Sequence, residues 1–373
     1  MKEKSNDIII IGAGIAGVSA GALLAEHANV RIIEMETQPG YHSSGRSAAF
    51  FSPPYGNSVV RAFTAASEQF FRDPPTGFSD VELIRPRDCL FIARPDQKGS
   101  LQDMHTEIPS LLKRTSTQIV DQVPILGVDN LAGGLLDISG GDLDVNEIMQ
   151  GYLRKFRSHN GKIENATMVE SLSRKDGLWR IDTGKQNWYS PIVINAAGAW
   201  ADTIAAMAGL TGLDITPKRR TALLIDAPSG EDISDWPLCI DIDEQFYFKP
   251  DAGQLLISPA DETPSAACDA QPEEMDIALA VDRFEQASGL EVNKINHKWA
   301  GLRSFAPDKT FVAGFDSRAN GFFWLAGQGG YGVQTAPALA ALSVTLLTDV
   351  KQSGPYQQIL QFEEKVSPER LLS

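Results

Sequence analysis

The sequence predicts an α/β fold, in which a nucleotide-binding domain is interrupted by an α+β domain built on a mixed or antiparallel sheet. Its start is an apolar strand, a helix rich in alanine and leucine, and a second apolar strand, at Ile8–Ile11, Ile15–Glu26 and Val30–Glu34. Such a strand–helix–strand unit takes about 30 residues. Its end is a further buried strand and a long apolar helix, Gly321–Ala326 and Gly332–Leu347. The segments between them alternate in the manner of antiparallel strands.

The elements between the two ends follow from local patterns. Helical spacing of apolar residues predicts helices, and alternating or continuous short apolar runs predict strands. The predicted helices are Val59–Arg72, Leu101–Val123, Val145–His159, Ala201–Ala208 and Asp276–Ala287. The predicted strands are Cys89–Ala93, Thr167–Arg174, Leu178–Thr183, Ile192–Asn195, Thr221–Ile225, Gln245–Lys249 and Gln254–Ile257.

This order predicts a discontinuous first domain, because its two characteristic ends are far apart in the chain. The nucleotide-binding domain is expected to comprise residues 1–84, 140–215 and 310–373. The inserted domain is expected to comprise residues 85–139 and 216–309.

Composition excludes several classes of protein. The chain has 48 acidic and 33 basic residues, a formal charge of −15, which repels a nucleic-acid backbone. Three dispersed cysteines and five histidines without metal-ligand spacing argue against a disulfide framework or a metal site, and favour a reducing cytoplasm. No apolar run reaches the roughly 18–20 residues of a membrane span.

A dinucleotide fingerprint follows the first strand. Gly12, Gly14 and Gly17 form G-x-G-x-x-G at the start of a helix, and Glu34 ends the next strand. Gly12 permits the tight turn, Gly14 admits a pyrophosphate, and Gly17 allows helix and strand to pack closely. The helix N-terminus attracts phosphates and Glu34 accepts hydrogen bonds from the ribose, which disfavours NADP. The fingerprint alone fits either FAD or NAD.

Three further segments carry a resemblance. Gly40–Ala49, Asn195–Trp200 and Gly327–Gly332 are similar to flavin-contacting loops of the D-amino acid oxidase-like (glycine/D-amino acid oxidase) superfamily. Within it, the pattern most resembles that of the bacterial FAD-dependent D-arginine dehydrogenases. The segments that carry this closer likeness are Gln38–Ala49, Thr64–Ala66, Pro217–Arg220, Lys249–Gly253 and Trp299–Phe305.

The resemblance implies a Rossmann-like FAD-binding domain that holds FAD non-covalently. Ser44, Gly45 and Arg46 are expected near the pyrophosphate and the flavin edge, and the helix that starts at Gly332 is expected to point its amides at the flavin. His42 lies where related amine dehydrogenases attach flavin covalently, but the D-arginine dehydrogenase pattern does not use it so. The full implied FAD set is Gly12, Gly14, Ile15, Ala16, Gly17, Glu34, Met35, His42, Ser43, Ser44, Gly45, Arg46, Ser47, Ala48, Ala49, Val169, Ala196, Ala197, Gly198, Trp200, Arg303, Gly329, Gly330, Tyr331, Gly332, Val333 and Gln334.

The resemblance also implies a site for an amino acid carboxylate. Arginine suits a carboxylate because its planar fork is always charged. Arg220, Arg303 and Tyr247 match the residues that bind and orient the substrate, and Tyr55 matches a tyrosine that covers the site. The other residues expected at the substrate are Phe50, Cys89, Gly330 and Tyr331.

Two departures alter the expected substrate. Phe50 stands where the D-arginine dehydrogenases have a histidine, and Cys89 stands where they have the glutamate that binds guanidinium. A buried cation without an acidic partner costs several kcal/mol, so D-arginine is expected to be a poor substrate. The expected substrate is a neutral or hydrophobic D-amino acid, or a related secondary amine or imino acid.

The implied reaction is oxidative deamination, in which hydride leaves the α-carbon for flavin N5 and the imino acid hydrolyses to a 2-oxo acid and ammonia. The electron acceptor is a quinone, a dye-like carrier or dioxygen, and the relatives favour a dehydrogenase. The location is cytoplasmic, with peripheral attachment to the inner membrane left open. The alternatives are oxidation of a 2-hydroxy acid, a non-catalytic flavin-binding module, and an NAD-dependent dehydrogenase.

Overall fold

The computed structural model describes residues 6–372, and its first layer is a six-stranded sheet. Ile8–Ile11 lies near the middle of this sheet and pairs in parallel with Val30–Ile33 and with Ile192–Asn195. All four of its isoleucines are buried, as expected for a strand covered on both faces. The strand order is Val312–Phe315, Phe322–Ala326, Ile192–Asn195, Ile8–Ile11, Val30–Ile33 and Lys162–Glu164.

Two hydrophobic cores cover the faces of the six-stranded sheet. One core packs the first helix, Ile15–Leu24, and the long helix Gly332–Leu347 on one face. The other core contains Ala201 and Ile204 together with a three-stranded antiparallel sheet, Ser171–Lys175, Leu178–Asp182 and Asn187–Ser190. The predicted α/β class with a Rossmann-like nucleotide-binding domain is confirmed.

The second layer is a nine-stranded mixed sheet. Its strands are mostly antiparallel, but Leu238–Asp241 and Cys89–Ala93 run in parallel. Its order is Thr263–Pro264, Thr216–Ile225, Gln254–Ser258, Tyr247–Asp251, Leu238–Asp241, Cys89–Ala93, Gly133–Asp137 and Leu112–Arg114, with Ile295–Phe305 also paired to Thr216–Ile225. All of these strands fall within 85–139 and 216–309, whereas the domain boundaries themselves stay a prediction, and residues 1–5 and 373 lie outside the described part.

Helices and a small sheet complete the described structure. The α-helices are Ile15–Leu24, Ser58–Arg72, Lys98–Glu107, Ser116–Gln122, Val145–Ser158, Ala201–Met207, Glu274–Ser288, Gly332–Leu347, Pro355–Gln358 and Glu363–Val366. The small sheet consists of Phe50–Phe51, Gly141–Leu143 and Ile84–Pro86. None of the helices between residues 6 and 372 has both the length and the apolar character needed to cross a bilayer.

The structure differs from the prediction in one helix and in several strands that the pattern did not indicate, among them Gly133–Asp137, Leu238–Asp241 and Val312–Phe315. The predicted helix Leu101–Val123 is two helices, Lys98–Glu107 and Ser116–Gln122, separated by the strand Leu112–Arg114. Pro109 interrupts the helical pattern here, because proline lacks the N–H that a helix interior needs. The eleven-residue strand Ile295–Phe305 was not predicted, and its exposed and buried positions do not alternate regularly.

Candidate active site

A cavity of about 340 Å³, called the large cavity below, runs along the carboxyl ends of the parallel strands. Ile11, Ile33, Ala196 and Gln328, each at or just after the end of a strand, line it. Open α/β sheets bind their ligands at this edge. The residues expected at FAD that line it are Gly12, Gly14, Ile15, Ala16, Glu34, Met35, His42, Ser43, Ser44, Arg46, Ser47, Ala48, Val169, Ala196, Ala197, Gly198, Trp200, Arg303, Gly329, Gly330, Gly332 and Val333.

The fingerprint turn has the close approach that its glycines predict. Gly12 has φ of +104°, and a Cβ there would lie 2.5 Å from the carbonyl oxygen of Ala196. A Cβ on Gly17 would collide with the carbonyl oxygen of Gly12. Gly14 differs, because its Cβ would meet only Ser44 Oγ, at 3.4 Å. Gly14 is therefore the position where a side chain fits the protein and would obstruct a ligand instead.

Polar groups fix the adenosine end of the large cavity. Glu34 accepts hydrogen bonds from the N–H groups of Ala13, at 2.6 Å, and Glu36, at 2.8 Å. Ser44 Oγ accepts a hydrogen bond of 2.9 Å from the N–H of Ile15 in the first turn of the helix. These bonds hold the fingerprint loop and the Gly40–Ala49 loop against each other, with Glu34 and Ser44 both facing the cavity.

Arg46 lines the large cavity, where it was expected, and the protein holds it there. Its guanidinium forms an ion pair with Asp269 and donates to the carbonyl oxygens of Ala270, at 2.9 Å, and Ala300, at 3.1 Å. Contact between Arg46 and the pyrophosphate or the flavin edge stays a prediction. The Arg46 guanidinium also holds the pKa of the Asp269 carboxyl below its usual range. Arg46 ties the Gly40–Ala49 loop to the nine-stranded sheet.

His42 is held at the cavity wall by two neighbours. Its Nε2 lies 2.9 Å from Glu36 Oε1, and its ring packs against Trp200 with centroids 4.8 Å apart. The Glu36 contact occupies one ring nitrogen.

The C-terminal flavin loop supplies a buried donor that the sequence did not reveal. Gln328 lines the large cavity, and its buried Nε2 has no hydrogen-bond partner among residues 6–372. An unpaired buried donor is costly, so this amide requires an acceptor from a ligand. The carbonyl and phosphate oxygens of FAD are such acceptors, and the cavity chemistry fits this cofactor.

A second cavity of about 80 Å³, called the small cavity, opens from the large one. Six residues line both and mark the junction: Ser47, Ala48, Arg220, Tyr247, Arg303 and Gly330. The residues that line only the small cavity are Ala49, Phe50, Ser52, Tyr55, Leu238, Ile240, Glu244, Lys249 and Ala260. Arg220, Tyr247 and Arg303, expected to act on the substrate, are therefore brought together at the junction.

Arg303 stands without a carboxylate partner at this junction. Its only hydrogen bond among the described residues is Nη1 to Tyr55 Oη, at 3.4 Å. Burial lowers the pKa of Arg303, but the Tyr55 and Tyr247 hydroxyls and Glu244 outweigh it, and the net shift is upward. The guanidinium is therefore charged and has most of its donors available.

Arg220 and Tyr247 provide further donors. Arg220 Nε donates to the carbonyl oxygen of Asp261 at 2.9 Å, and Nη2 lies 3.6 Å from Glu262 Oε1. That Nη2 is buried without a hydrogen bond to any described residue. Tyr247 is 6% exposed and its hydroxyl has no hydrogen bond within residues 6–372.

Several residues expected at the ligands lie behind the cavity walls. Cys89 is fully buried, which raises the pKa of its thiol well above the usual value, and it lines neither cavity. Tyr331 is also set back, with its ring 5.1 Å from that of Tyr55. Gln334 accepts from the N–H of Ser52 at 3.1 Å instead of facing a ligand. Gly17 and Gly45 also lie behind the cavity walls. A side chain at either position would collide with a backbone carbonyl oxygen, so close packing, and not contact with a ligand, explains why both are glycine.

The lining residues that sequence reasoning missed are of two kinds. Thr167, Met168, Thr203, Ile204 and Met207 lie at the large cavity without any motif that would have indicated them. Ser52, Glu244 and Lys249 line the small cavity, and no motif in the sequence indicated that Ser52 or Glu244 would face it. No acidic residue was expected beside the substrate side chain, and Glu244 corrects this expectation. The Glu244 side chain is exposed to solvent.

The fold is shared with proteins of known structure. L-proline dehydrogenase from P. horikoshii superposes with a TM-score of 0.83 at 22% identity, covering 100% of this chain and 99% of that one. Glycine oxidase from Geobacillus kaustophilus superposes with a TM-score of 0.82 at 19% identity, covering 94% and 96%. A glycerol 3-phosphate dehydrogenase from Caloramator mitchellensis is 24% identical over 357 residues, 92% of this chain and 74% of the relative.

The family assignment rests on a match along most of the chain. The DAO family pattern, described as FAD dependent oxidoreductase, matches residues 7–346. The matched residues include the strands of the six- and nine-stranded sheets, the fingerprint turn, and Arg303 at the junction of the two cavities. The chain belongs to the DAO family of FAD-dependent oxidoreductases, and FAD is its cofactor.

Proposed function

We propose that this chain oxidises the C–N bond of an amino acid or a related secondary amine whose carboxylate binds at Arg303. The observation that carries the proposal is the charged Arg303 fork without an acidic partner, at the point where the two cavities meet. A fork of this kind pairs with a carboxylate through two parallel hydrogen bonds. Tyr247, whose hydroxyl is free, and the unpaired Nη2 of Arg220 add donors for the same group.

The protein's part in the reaction is to orient the substrate. Bound FAD accepts the hydride equivalent from the carbon that bears the amine. Arg303 and Tyr247 fix the carboxylate, so that this carbon faces the large cavity while the side chain enters the small one. No histidine lines either cavity near the junction, so we propose that the amine binds neutral or releases its proton to Tyr247 or water.

The small cavity supports a substrate without a positive charge. Phe50, Leu238 and Ile240 are apolar, and the ammonium of Lys249 contributes a positive charge to the same wall. Glu244 is the acidic residue among those that line the small cavity within residues 6–372, and water screens its charge because it is exposed. D-Arginine and D-lysine would therefore place a cation beside Lys249 with little compensation.

The relatives support amine chemistry and keep one alternative open. L-Proline dehydrogenase and glycine oxidase share the fold and are named for amino acids that carry a carboxylate. The glycerol 3-phosphate dehydrogenase is named for an alcohol, which favours a 2-hydroxy acid as the second candidate substrate. An Arg303 fork would bind the carboxylate of either.

Anaerobic reduction of the bound flavin tests the proposal. The purified protein is mixed with D-amino acids, L-amino acids, secondary amines and 2-hydroxy acids, and the loss of the flavin absorbance is followed. We expect neutral or acidic amino acids of one configuration to bleach the flavin and cationic ones to react slowly. Highest turnover per KM with D-arginine or D-lysine would refute the charge argument, and bleaching by hydroxy acids alone would refute amine oxidation.

Re-oxidation is a separate property of the enzyme. We propose a dehydrogenase that passes electrons to a quinone or another carrier rather than to dioxygen. Comparison of peroxide formation with dye reduction in the presence of substrate measures the partition directly.

A further inference from the structure

The small cavity has a buried cation away from the junction. Lys249 is 3% exposed, lines only the small cavity, and donates from Nζ to Asp142 Oδ1 at 2.7 Å. Asp251 is its other acidic neighbour, at 4.0 Å, beyond hydrogen-bond distance. Asp142 also accepts from Nε of Arg87 at 2.5 Å. Asp142 is therefore hydrogen-bonded to two cations, and with Asp251 the cluster contains two acidic and two basic side chains.

Lys249 has donors to spare. An ammonium group has three N–H donors, and among residues 6–372 only Asp142 accepts one of them. A buried charge is stable only when its hydrogen-bonding capacity is largely met. The small cavity is the space beside this side chain where another acceptor fits.

Ser52 adds a second unused donor in the same cavity. It is 4% exposed, and its Oγ is buried with no hydrogen-bond partner among the described residues. Its backbone is fixed, because its N–H donates to Gln334 Oε1 at 3.1 Å and its carbonyl accepts from Gln334 Nε2 at 3.4 Å. The hydroxyl is thus held in the wall, and its polar neighbour in the protein is the buried thiol of Cys89, a weak hydrogen-bonding group.

These two donors lie on the side of the small cavity away from the flavin crevice. Tyr247 and Lys249 are two residues apart and lie on the same face of one strand. Their Cα atoms are therefore about 6.6 Å apart, at 3.3 Å per residue. Tyr247 lines both cavities, whereas Lys249 and Ser52 line only the small one. A substrate whose carboxylate is at Arg303 would direct its side chain toward them.

We propose that Lys249 Nζ and Ser52 Oγ form a second subsite, which binds an oxygen acceptor at the end of the substrate side chain. The acceptor is a carboxylate or an amide carbonyl, and the substrate is of the size of aspartate, glutamate or their amides. This inference rests on the proposed function and narrows its substrate class. The unused N–H donors of the Lys249 ammonium favour the carboxylate, because a charge-assisted hydrogen bond to an anion is stronger than one to a neutral carbonyl, and the small volume of the cavity limits the size of the group.

Matched substrates test the subsite in the FAD-bound enzyme. Asparagine and leucine have nearly the same shape but differ in their acceptor, and aspartate adds a charge. In the configuration that bleaches the flavin, we expect aspartate and asparagine to exceed leucine in kcat/KM by at least about tenfold, the value of one charge-assisted hydrogen bond. A higher kcat/KM for leucine would overturn the proposal.

Two variants locate the effect. Lys249→Met should lower the aspartate-to-leucine ratio by about tenfold or more, and Ser52→Ala should lower the ratios of aspartate and asparagine alike. Ser52→Ala removes a hydroxyl whose polar neighbour is the thiol of Cys89, a weak hydrogen-bonding group, so we expect this variant to fold even if Lys249→Met is unstable. Lys298→Met, at an exposed lysine of a nearby strand, is the matched control and should leave every ratio unchanged.

The outcomes separate this inference from the proposed function. Unchanged ratios in both variants, with amino acids still reducing the flavin, would overturn the subsite and leave amine oxidation intact. Flavin that no amino acid or amine reduces in the unaltered enzyme would overturn the proposed function itself.

Discussion

Arg219 and Arg303 lie on two paired strands, but only Arg219 has acidic partners. Arg219 contacts Glu273 and Asp276, the latter at 2.8 Å, on the side of the sheet away from the cavities. Arg303 has only a tyrosine hydroxyl. Residue type alone does not distinguish these two arginines, because the difference lies in partners far away in sequence. For the same reason the unused donors of Lys249 and Ser52 could not be identified from the sequence.

Replacement of Arg303 by lysine tests the carboxylate fork. Arg303→Lys keeps the charge but loses the two parallel donors, so we expect kcat/KM to fall about 10- to 100-fold, as for the loss of about 1.5–3 kcal/mol. Steady-state kinetics with the best amino acid measures this. Arg219→Lys is the matched control, which should reduce thermal stability with little effect on KM. Equal kinetic effects of the two variants would argue against the assignment.

The pH dependence of the site follows from Tyr55. Burial raises the pKa of Tyr55 above its ordinary 10.0, although Arg303 opposes this. Because the pKa of Tyr55 is raised, its hydroxyl stays protonated and can donate a hydrogen bond up to at least pH 10. We therefore expect Tyr55→Phe to lower kcat/KM uniformly below pH 10, without changing the shape of the pH profile. An alkaline limb below pH 10 that disappears in Tyr55→Phe would contradict this.

Among the secondary-structure elements, those with local signals were predictable. The opening strand–helix–strand unit and the helix Gly332–Leu347 follow from periodicity and glycine spacing, and both occur as predicted. Ile295–Phe305 was missed because its burial depends on Thr216–Ile225, a partner about 80 residues earlier. The partner of Arg46 was not predictable for a similar reason, since Asp269 is 223 positions away. Non-local pairing therefore limits what the pattern alone reveals.

The fingerprint glycines give a prediction at the level of the turn. A Cβ on Gly17 collides with backbone, whereas one on Gly14 meets only a serine hydroxyl. We expect Gly17→Ala to lower the melting temperature of the FAD-free protein. Gly14→Ala should leave that temperature nearly unchanged but weaken FAD binding, because it obstructs the pyrophosphate.

Calorimetry of the FAD-free protein and titration with FAD separate the two effects. Loss of stability in Gly14→Ala without FAD would contradict the prediction.

For the whole molecule, FAD is expected to join the two sheets, because residues of both line the large cavity. A ligand that binds only the folded state stabilises it by about 2.7 kcal/mol at a hundredfold excess over Kd. Removal of FAD should therefore lower the melting temperature, and added FAD should restore it.

The FAD is also predicted to be non-covalent. The contact of His42 with Glu36 engages Nε2 and leaves Nδ1 without a hydrogen bond among the described residues, so non-covalent binding stays a prediction. Acid precipitation should release the yellow chromophore into the supernatant. Colour that stays with the pellet would establish a covalent bond, and His42→Ala would then show whether His42 forms it.

The strand order has a consequence for biosynthesis. Ile8–Ile11 leaves the ribosome well before its neighbour Ile192–Asn195, which is made more than 180 residues later. At about 5–20 residues per second, this apolar edge waits roughly 10–40 s for its partner. Exposed edges of this kind invite pairing with other chains. The nascent polypeptide should therefore depend on chaperones during synthesis, and its cofactor site is complete only after Gly332 and Val333 have been made.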